Sequence, residues 1–262
     1  MTQNTFTAAD GSTLGYRIKG ETGPWLILCH ALLASSEQWA GPLETLSDSF
    51  RVVCPDTRGH GLSRDATPAE TVAQMSDDVL ALMDHLGIEK AHLLGASMSG
   101  VMAQDFASRY PERVEKLILA NTTWRYGPEG HAAWQARIDT ARADGLGPVV
   151  EGTLARFLTE EFHAGQPARV ETLRRAMMAS AVEGFCGCCR SLDGADLTKA
   201  LPRITAPTLL IAGESDIATT PQVMTDLSAL IPGSELVVLP GAHLCNYQSP
   251  DLFDATLRRF LA

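Results

Sequence analysis

Ser97 stands where two contrasting segments meet. Before it, Ala91-His92-Leu93-Leu94 is a short apolar run of strand character. After it, Met98 to Tyr110 has the pattern of a helix that stops ahead of Pro111. A serine on so tight a strand-to-helix turn has its hydroxyl forced out above the sheet. The free N–H groups at the start of the helix then offer positive potential to a developing oxyanion. Such a turn needs small neighbours, which Gly95, Ser99 and Gly100 supply. A serine hydroxyl is a poor nucleophile without an adjacent base, so a histidine held by a carboxylate is required. Of the seven histidines, His243 follows the apolar run Glu235-Leu236-Val237-Val238-Leu239. Asp216 follows Thr208-Leu209-Leu210-Ile211-Ala212-Gly213. Ser97, Asp216 and His243 thus each lie just past the C-terminal end of a strand, where parallel α/β sheets bind ligands. The chemistry expected of them is acyl transfer: Ser97 attacks, His243 is the general base, and Asp216 orients it.

Two other carboxylates compete for the acid's place. Glu214 lies two residues before Asp216, but the end of Gly213-Glu214-Ser215-Asp216 suits the role better. Asp56, in Asp56-Thr57-Arg58-Gly59-His60-Gly61, sits at an earlier strand end. Its expected role, like that of His60, is to brace a glycine-rich loop. An oxyanion hole needs two donors. The N–H of Met98 is one. The other is expected from the loop Cys29-His30-Ala31-Leu32, as the N–H of Leu32.

Elements must place these residues. Short strands are expected on both sides of Asp10-Gly11 within 5–19, then at 25–29, 51–54, 91–94, 114–120, 207–213 and 235–239. Helices are expected at 37–46, 71–86, 98–110, 221–230 and 252–261. Strand and helix alternate, which argues for a mostly parallel eight-stranded sheet flanked by helices. From Trp124 to about Ala200 the alternation stops and the pattern is helical throughout. The expected organisation is a core of residues 1–123 and 201–262 with a helical cap, 124–200, inserted into it.

These features together resemble the α/β-hydrolase fold over nearly the whole chain. Within it, Asp56-Thr57-Arg58-Gly59-His60-Gly61, Gly187-Cys188-Cys189 and Ala242-His243-Leu244-Cys245-Asn246 are similar to 3-oxoadipate enol-lactonases. The resemblance implies cofactor-free hydrolysis of a small carboxylated lactone in aromatic-compound catabolism, with the triad roles at Ser97, Asp216 and His243. Three departures stand out. Ala31 follows His30 where glycine is usual, Ser99 replaces the last glycine of the elbow pattern, and Arg190 follows the cysteine pair. One fold hosts many chemistries, so carbon–carbon bond hydrolysis of a dienoate and peracid formation are the enzymatic alternatives. A ligand-binding protein that retains the fold is the non-enzymatic one.

Specificity is expected from the cap. Trp124 and Trp134 are candidates for the pocket roof. A substrate carboxylate would want an arginine fork, with Arg137, Arg190 and Arg125 as candidates in that order. The competing reading is that these arginines are solvated and the aromatics only pack. The formal net charge of −10 is scattered, which disfavours nucleic acid and anionic membrane as partners. A small-molecule ester or lactone is the expected partner, and a homo-oligomer is possible. The amino terminus lacks the basic and apolar regions of a signal peptide, and no run approaches the roughly 18 apolar residues of a membrane span, so a cytoplasmic protein is expected. The six cysteines lack paired zinc-ligand spacing. They are expected to be free buried thiols, with neither a metal nor a cofactor.

Overall fold

The computed structural model describes residues 2–262. Its centre is a single eight-stranded sheet in the order β1-β2-β4-β3-β5-β6-β7-β8. The strands are β1 (Thr2–Thr7), β2 (Thr13–Lys19), β3 (Trp25–Cys29), β4 (Arg51–Pro55), β5 (Ala91–Ala96), β6 (Val114–Ala120), β7 (Thr208–Gly213) and β8 (Glu235–Leu239). β2 pairs antiparallel with β1 and β4, and β3 through β8 run parallel. The central strands are continuous apolar runs because helices cover both faces. All six residues of β5 and of β7 are buried.

The described residues form eleven α-helices: α1 (Ala40–Leu46), α2 (Val72–His85), α3 (Met98–Arg109), α4 (His131–Asp144), α5 (Leu146–Phe157), α6 (Glu160–Gly165), α7 (Pro167–Met178), α8 (Val182–Leu192), α9 (Pro221–Leu230), α10 (Cys245–Gln248) and α11 (Pro250–Leu261). On one face, Trp39, Leu43, Phe253 and Leu257 pack on Leu26, Leu28, Leu94 and Ile118. On the other, Met75, Val79, Val101 and Phe106 pack on Ile27 and Leu93. That apolar cluster continues without a break into Trp134, Ile138, Leu154 and Phe185.

Three of the boundaries that differ from expectation have a reason in the chain. β1 begins at Thr2, where six residue pairs with β2 hold it. The segment 37–46 is divided into a 3-10 turn, Ser36–Trp39, and α1. Pro42 lacks an N–H and is tolerated only in a helix's first turn, so the α-helix restarts at Ala40. The last helix begins at Pro250, a favoured first helical position.

α4 through α8 lie in sequence between β6 and β7. Backbone bonds tie them to the rest: the Ala181 N–H donates to the Gly59 carbonyl (2.8 Å) and the Leu244 N–H to the Phe157 carbonyl (3.1 Å). At the first of these, Gly59 and Gly184 touch backbone to backbone. A Cβ on either would stand 2.2 Å from the other's Cα. No helix among the described residues is long and apolar enough to cross a membrane.

Candidate active site

Ser97 takes the sharp turn between β5 and α3 at φ 52°, ψ −114°. A non-glycine residue there is strained by about 1–3 kcal/mol, so its surroundings must over-determine it. They do. The Ser97 N–H donates to the Ala120 carbonyl (2.9 Å), and the Thr122 hydroxyl donates to the Ser97 carbonyl (2.7 Å). Gly95 is obligatory because a Cβ would meet the Ser99 carbonyl oxygen at 2.2 Å. At Gly100 a Cβ would run into Thr122 at 2.5 Å. The Ser99 hydroxyl donates to the His30 carbonyl (2.6 Å). This departure from glycine thereby ties the elbow to the loop after β3.

The three candidate side chains meet. Ser97 Oγ lies 2.7 Å from His243 Nε2, and His243 Nδ1 lies 2.8 Å from Asp216 Oδ2. Because a carboxylate accepts, the imidazole carries its proton on Nδ1 and turns Nε2 toward the serine. Asp216 Oδ2 also accepts from the Thr219 hydroxyl (2.7 Å) and the Asn121 amide (2.9 Å). Its Oδ1 accepts from the N–H groups of Ala218 (2.7 Å) and Thr219 (3.0 Å). Burial pushes the Asp216 carboxyl up, but the hydrogen bond and attraction of His243 and the bonds from Thr219 outweigh it. The carboxyl is held below its ordinary range. Glu214 is exposed and contributes only its backbone to this corner.

The loop after β3 is fastened by two neutral histidines. His30 Nε2 accepts from the Thr57 N–H (2.9 Å), and His60 Nε2 accepts from the Leu33 N–H (3.2 Å). Nδ1 of each must then hold the proton, which it donates to the carbonyl of Ala31 and of Arg58 respectively. Burial pushes both down to about 4. Asp56 braces the same loop by accepting from the Ser36 N–H (2.5 Å) and the Leu62 N–H (2.8 Å). Burial raises its carboxyl, and those backbone donors restrain the rise. Leu33 is thereby held at φ 66°. The N–H groups of Leu32 and Met98 have no acceptor among the described residues. Both residues line the pocket above Ser97.

That pocket holds about 230 Å³ and is walled by Tyr126, Trp134, Phe157, Leu192 and Ile217, with Arg137 and Arg156 at its side. Of the candidates, Trp134 and Arg137 stand here. Trp124 does not line it: its indole N–H donates to the Thr198 hydroxyl (3.1 Å), near the strand-like bridge between Arg125 and Asp196. Arg190 is also elsewhere, because Glu70 takes it in a two-pronged ion pair (2.9 and 3.2 Å). Arg137 is partly buried over the Trp134 ring (5.2 Å) and the Phe185 ring (5.8 Å), and donates to the Thr153 hydroxyl (3.3 Å). Burial lowers its affinity for a proton below that of an ordinary arginine. Among the described residues, no carboxylate comes within ion-pair distance of Arg137 or Arg156.

Four further residues that the sequence did not place beside the triad stand here. Asn121 sits at the end of β6 and obeys the same strand-end rule that points to Asp216 and His243. Thr219 follows Asp216 by three, the spacing of a side chain that organises its own turn. Phe157, whose ring centroid is 4.2 Å from that of His243, and Arg156 carry no such local signal. The six cysteines are free and buried.

A model of the alpha/beta hydrolase fold matches residues 24–250. The chain is 35% identical to 3-oxoadipate enol-lactonase 2 of Acinetobacter baylyi, covering 98% of this chain and 97% of that one. Among solved structures, the enol-lactonase of Burkholderia xenovorans LB400 is similar with a TM-score of 0.92 and 35% identity, covering 98% and 99% of the two chains. A thermophilic esterase of Thermogutta terrifontis, solved with malate bound, is similar with a TM-score of 0.91 and 29% identity, covering 100% and 98%. A strained serine elbow in a parallel sheet, this order of strands and a match along nearly the full length agree: the chain belongs to the α/β-hydrolase fold family and is a hydrolase.

Proposed function

We propose that this hydrolase cleaves a small ester or lactone through an acyl-enzyme on Ser97. The observation that carries the proposal is the relay from Ser97 through His243 to Asp216, at 2.7 and 2.8 Å, opening into the pocket. Ser97 Oγ attacks the carbonyl carbon and its proton passes to His243 Nε2. Asp216 stabilises the imidazolium so formed. The N–H groups of Leu32 and Met98 hold the oxyanion. The imidazolium protonates the leaving oxygen. His243 then takes a proton from water, whose oxygen attacks the acyl carbon and frees Ser97. Phe157, its ring tilted over the imidazole, keeps bulk water from that side. Residues 124–200 act in this scheme as a cap that walls the pocket.

The substrate proposed is one that carries a carboxylate, 3-oxoadipate enol-lactone foremost. Arg137 and Arg156 support this. They are two cations that have no acidic partners among the described residues, beside the reacting centre of a chain whose net charge is −10. The thiols are unpaired, in keeping with a reducing compartment, and the cytoplasm is the setting proposed.

Replacement of Ser97 by alanine tests the mechanism. Turnover of 3-oxoadipate enol-lactone and of p-nitrophenyl acetate should both fall by about 10⁴-fold or more. A fluorophosphonate should label the wild type but not the variant. Substantial activity without the hydroxyl would overturn the acyl-enzyme. Turnover of the acetate alone by the wild type would keep the triad and discard the lactone.

A further inference from the structure

Asn121, the residue after β6, ties the end of that strand to the loops after β7 and β8. Asn121 adopts φ 45°, a left-handed conformation that asparagine tolerates better than most residues. Its N–H donates to the Ile211 carbonyl (2.8 Å) on β7, and it is fully enclosed. Its Nδ2 donates to Asp216 Oδ2 (2.9 Å), the same oxygen that accepts from His243. On the amide's other side, Cys245 Sγ lies 3.0 Å from Asn121 Oδ1. Chemistry decides how the amide faces. Asp216 can only accept, so the NH2 group must point to it. The carbonyl oxygen then faces Cys245, and only a thiol with its proton in place can satisfy it. Burial pushes that thiol up to about 12, so it remains a donor throughout the working pH range.

We propose that Cys245 and Asn121 are a positioning pair: the thiol fixes the orientation of the amide, and the amide shares the charge of Asp216 Oδ2, setting how strongly Asp216 holds the imidazolium of His243. With the amide gone, Oδ2 keeps only His243 and the Thr219 hydroxyl as partners. More of its charge then falls on His243, and a higher pH is needed to free the base. The other titratable or charged groups that face this corner are Cys245 itself and, across the pocket, Tyr126, Arg137 and Arg156. Burial pushes the Cys245 thiol and the Tyr126 phenol up to about 12, so both stay neutral over the range in question. The inference rests on the triad reading, and the two can fail separately.

The test is the pH profile of kcat/KM on p-nitrophenyl acetate for wild type, Asn121→Gly, Cys245→Ala and Cys245→Ser. Glycine suits the left-handed backbone at 121. In Asn121→Gly the change should appear in the pH dependence, with KM within about twofold of wild type. The acid limb should move up by about half a pH unit or more. Cys245→Ala leaves the amide oxygen without its donor, loosens the amide's hold on Asp216 and should show a smaller change in the same direction. Cys245→Ser restores a donor and should recover most of what alanine loses. If the acid limbs of Asn121→Gly and Cys245→Ala superimpose on the wild type, or if serine at 245 behaves like alanine, the pair has only a packing role and the inference is overturned. Should Asn121→Gly fail to fold, the two Cys245 variants decide it alone. Ser97→Ala, run in parallel, tests the triad: activity there would refute the triad reading, whereas an inert Ser97→Ala with unshifted Asn121 and Cys245 variants would refute only the positioning pair.

Discussion

Arg137→Gln should convert a preference for carboxylated substrates into indifference. The guanidinium is partly buried between the Trp134 and Phe185 rings and lacks an acidic partner among the described residues. Its charge is therefore available to a ligand. Two unit charges about 4 Å apart attract by about 4 kcal/mol at an effective dielectric of about 20. Stripping water from both ions cancels part of this, and a net gain of about 1.5–3 kcal/mol is usual for a hydrogen bond to a charged group. That gain corresponds to a factor of about 10–150. The assay is the ratio of kcat/KM for the p-nitrophenyl monoester of glutarate to kcat/KM for p-nitrophenyl acetate, in wild type and variant. Glutamine also forfeits the stacking on Trp134, worth about 0.5–1 kcal/mol. That loss affects both substrates and cancels in the ratio. Arg156→Gln should lower the ratio less, and its effect should fade with added salt, because Arg156 is exposed. A ratio that stays within about twofold of wild type in Arg137→Gln would refute the assignment of Arg137 to a substrate carboxylate.

Two further outcomes concern stability. Gly184→Ala puts a methyl group 2.2 Å from the Cα of Gly59. It should destabilise the protein by about 1–3 kcal/mol, the usual cost of overpacking, as seen in a lowered urea midpoint, whereas Gly152→Ala, with open space around it, should not. His30, His60 and His92 are pushed down to about 4 by burial, from an ordinary 6.5. Between these values the unfolded chain binds protons that the folded one refuses, so stability falls as pH falls. From pH 7 to 5.5 the loss is a little over 1 kcal/mol per histidine, about 4 kcal/mol for the three. A urea midpoint unchanged over that interval would show that these histidines are not held neutral by the fold.

What could be read from sequence, and what could not, divides along the physics of the two halves of the molecule. A parallel sheet has a fixed register, and its strands end on one rim. A serine, an aspartate and a histidine placed just after buried apolar runs are therefore brought to the same rim whatever the loops do, and the relay at 2.7 and 2.8 Å is the result. Asn121 obeys that rule equally well. It was missed because an amide has no chemistry of its own to announce it. The helices α4–α8 have no shared register. A side chain's direction there depends on how each helix docks, which is decided by contacts distant in sequence. Trp134 and Arg137 are three apart on α4 and so share a face, the face that turns to Ser97. Arg190 has the same chemistry and lies next to a buried cysteine pair, yet it points toward the loop before α2, where Glu70 captures it. α8 also meets the loop after β4 where the backbones of Gly59 and Gly184 touch. No local pattern around Arg190 encodes that contact, because its other half lies 125 residues away at Gly59.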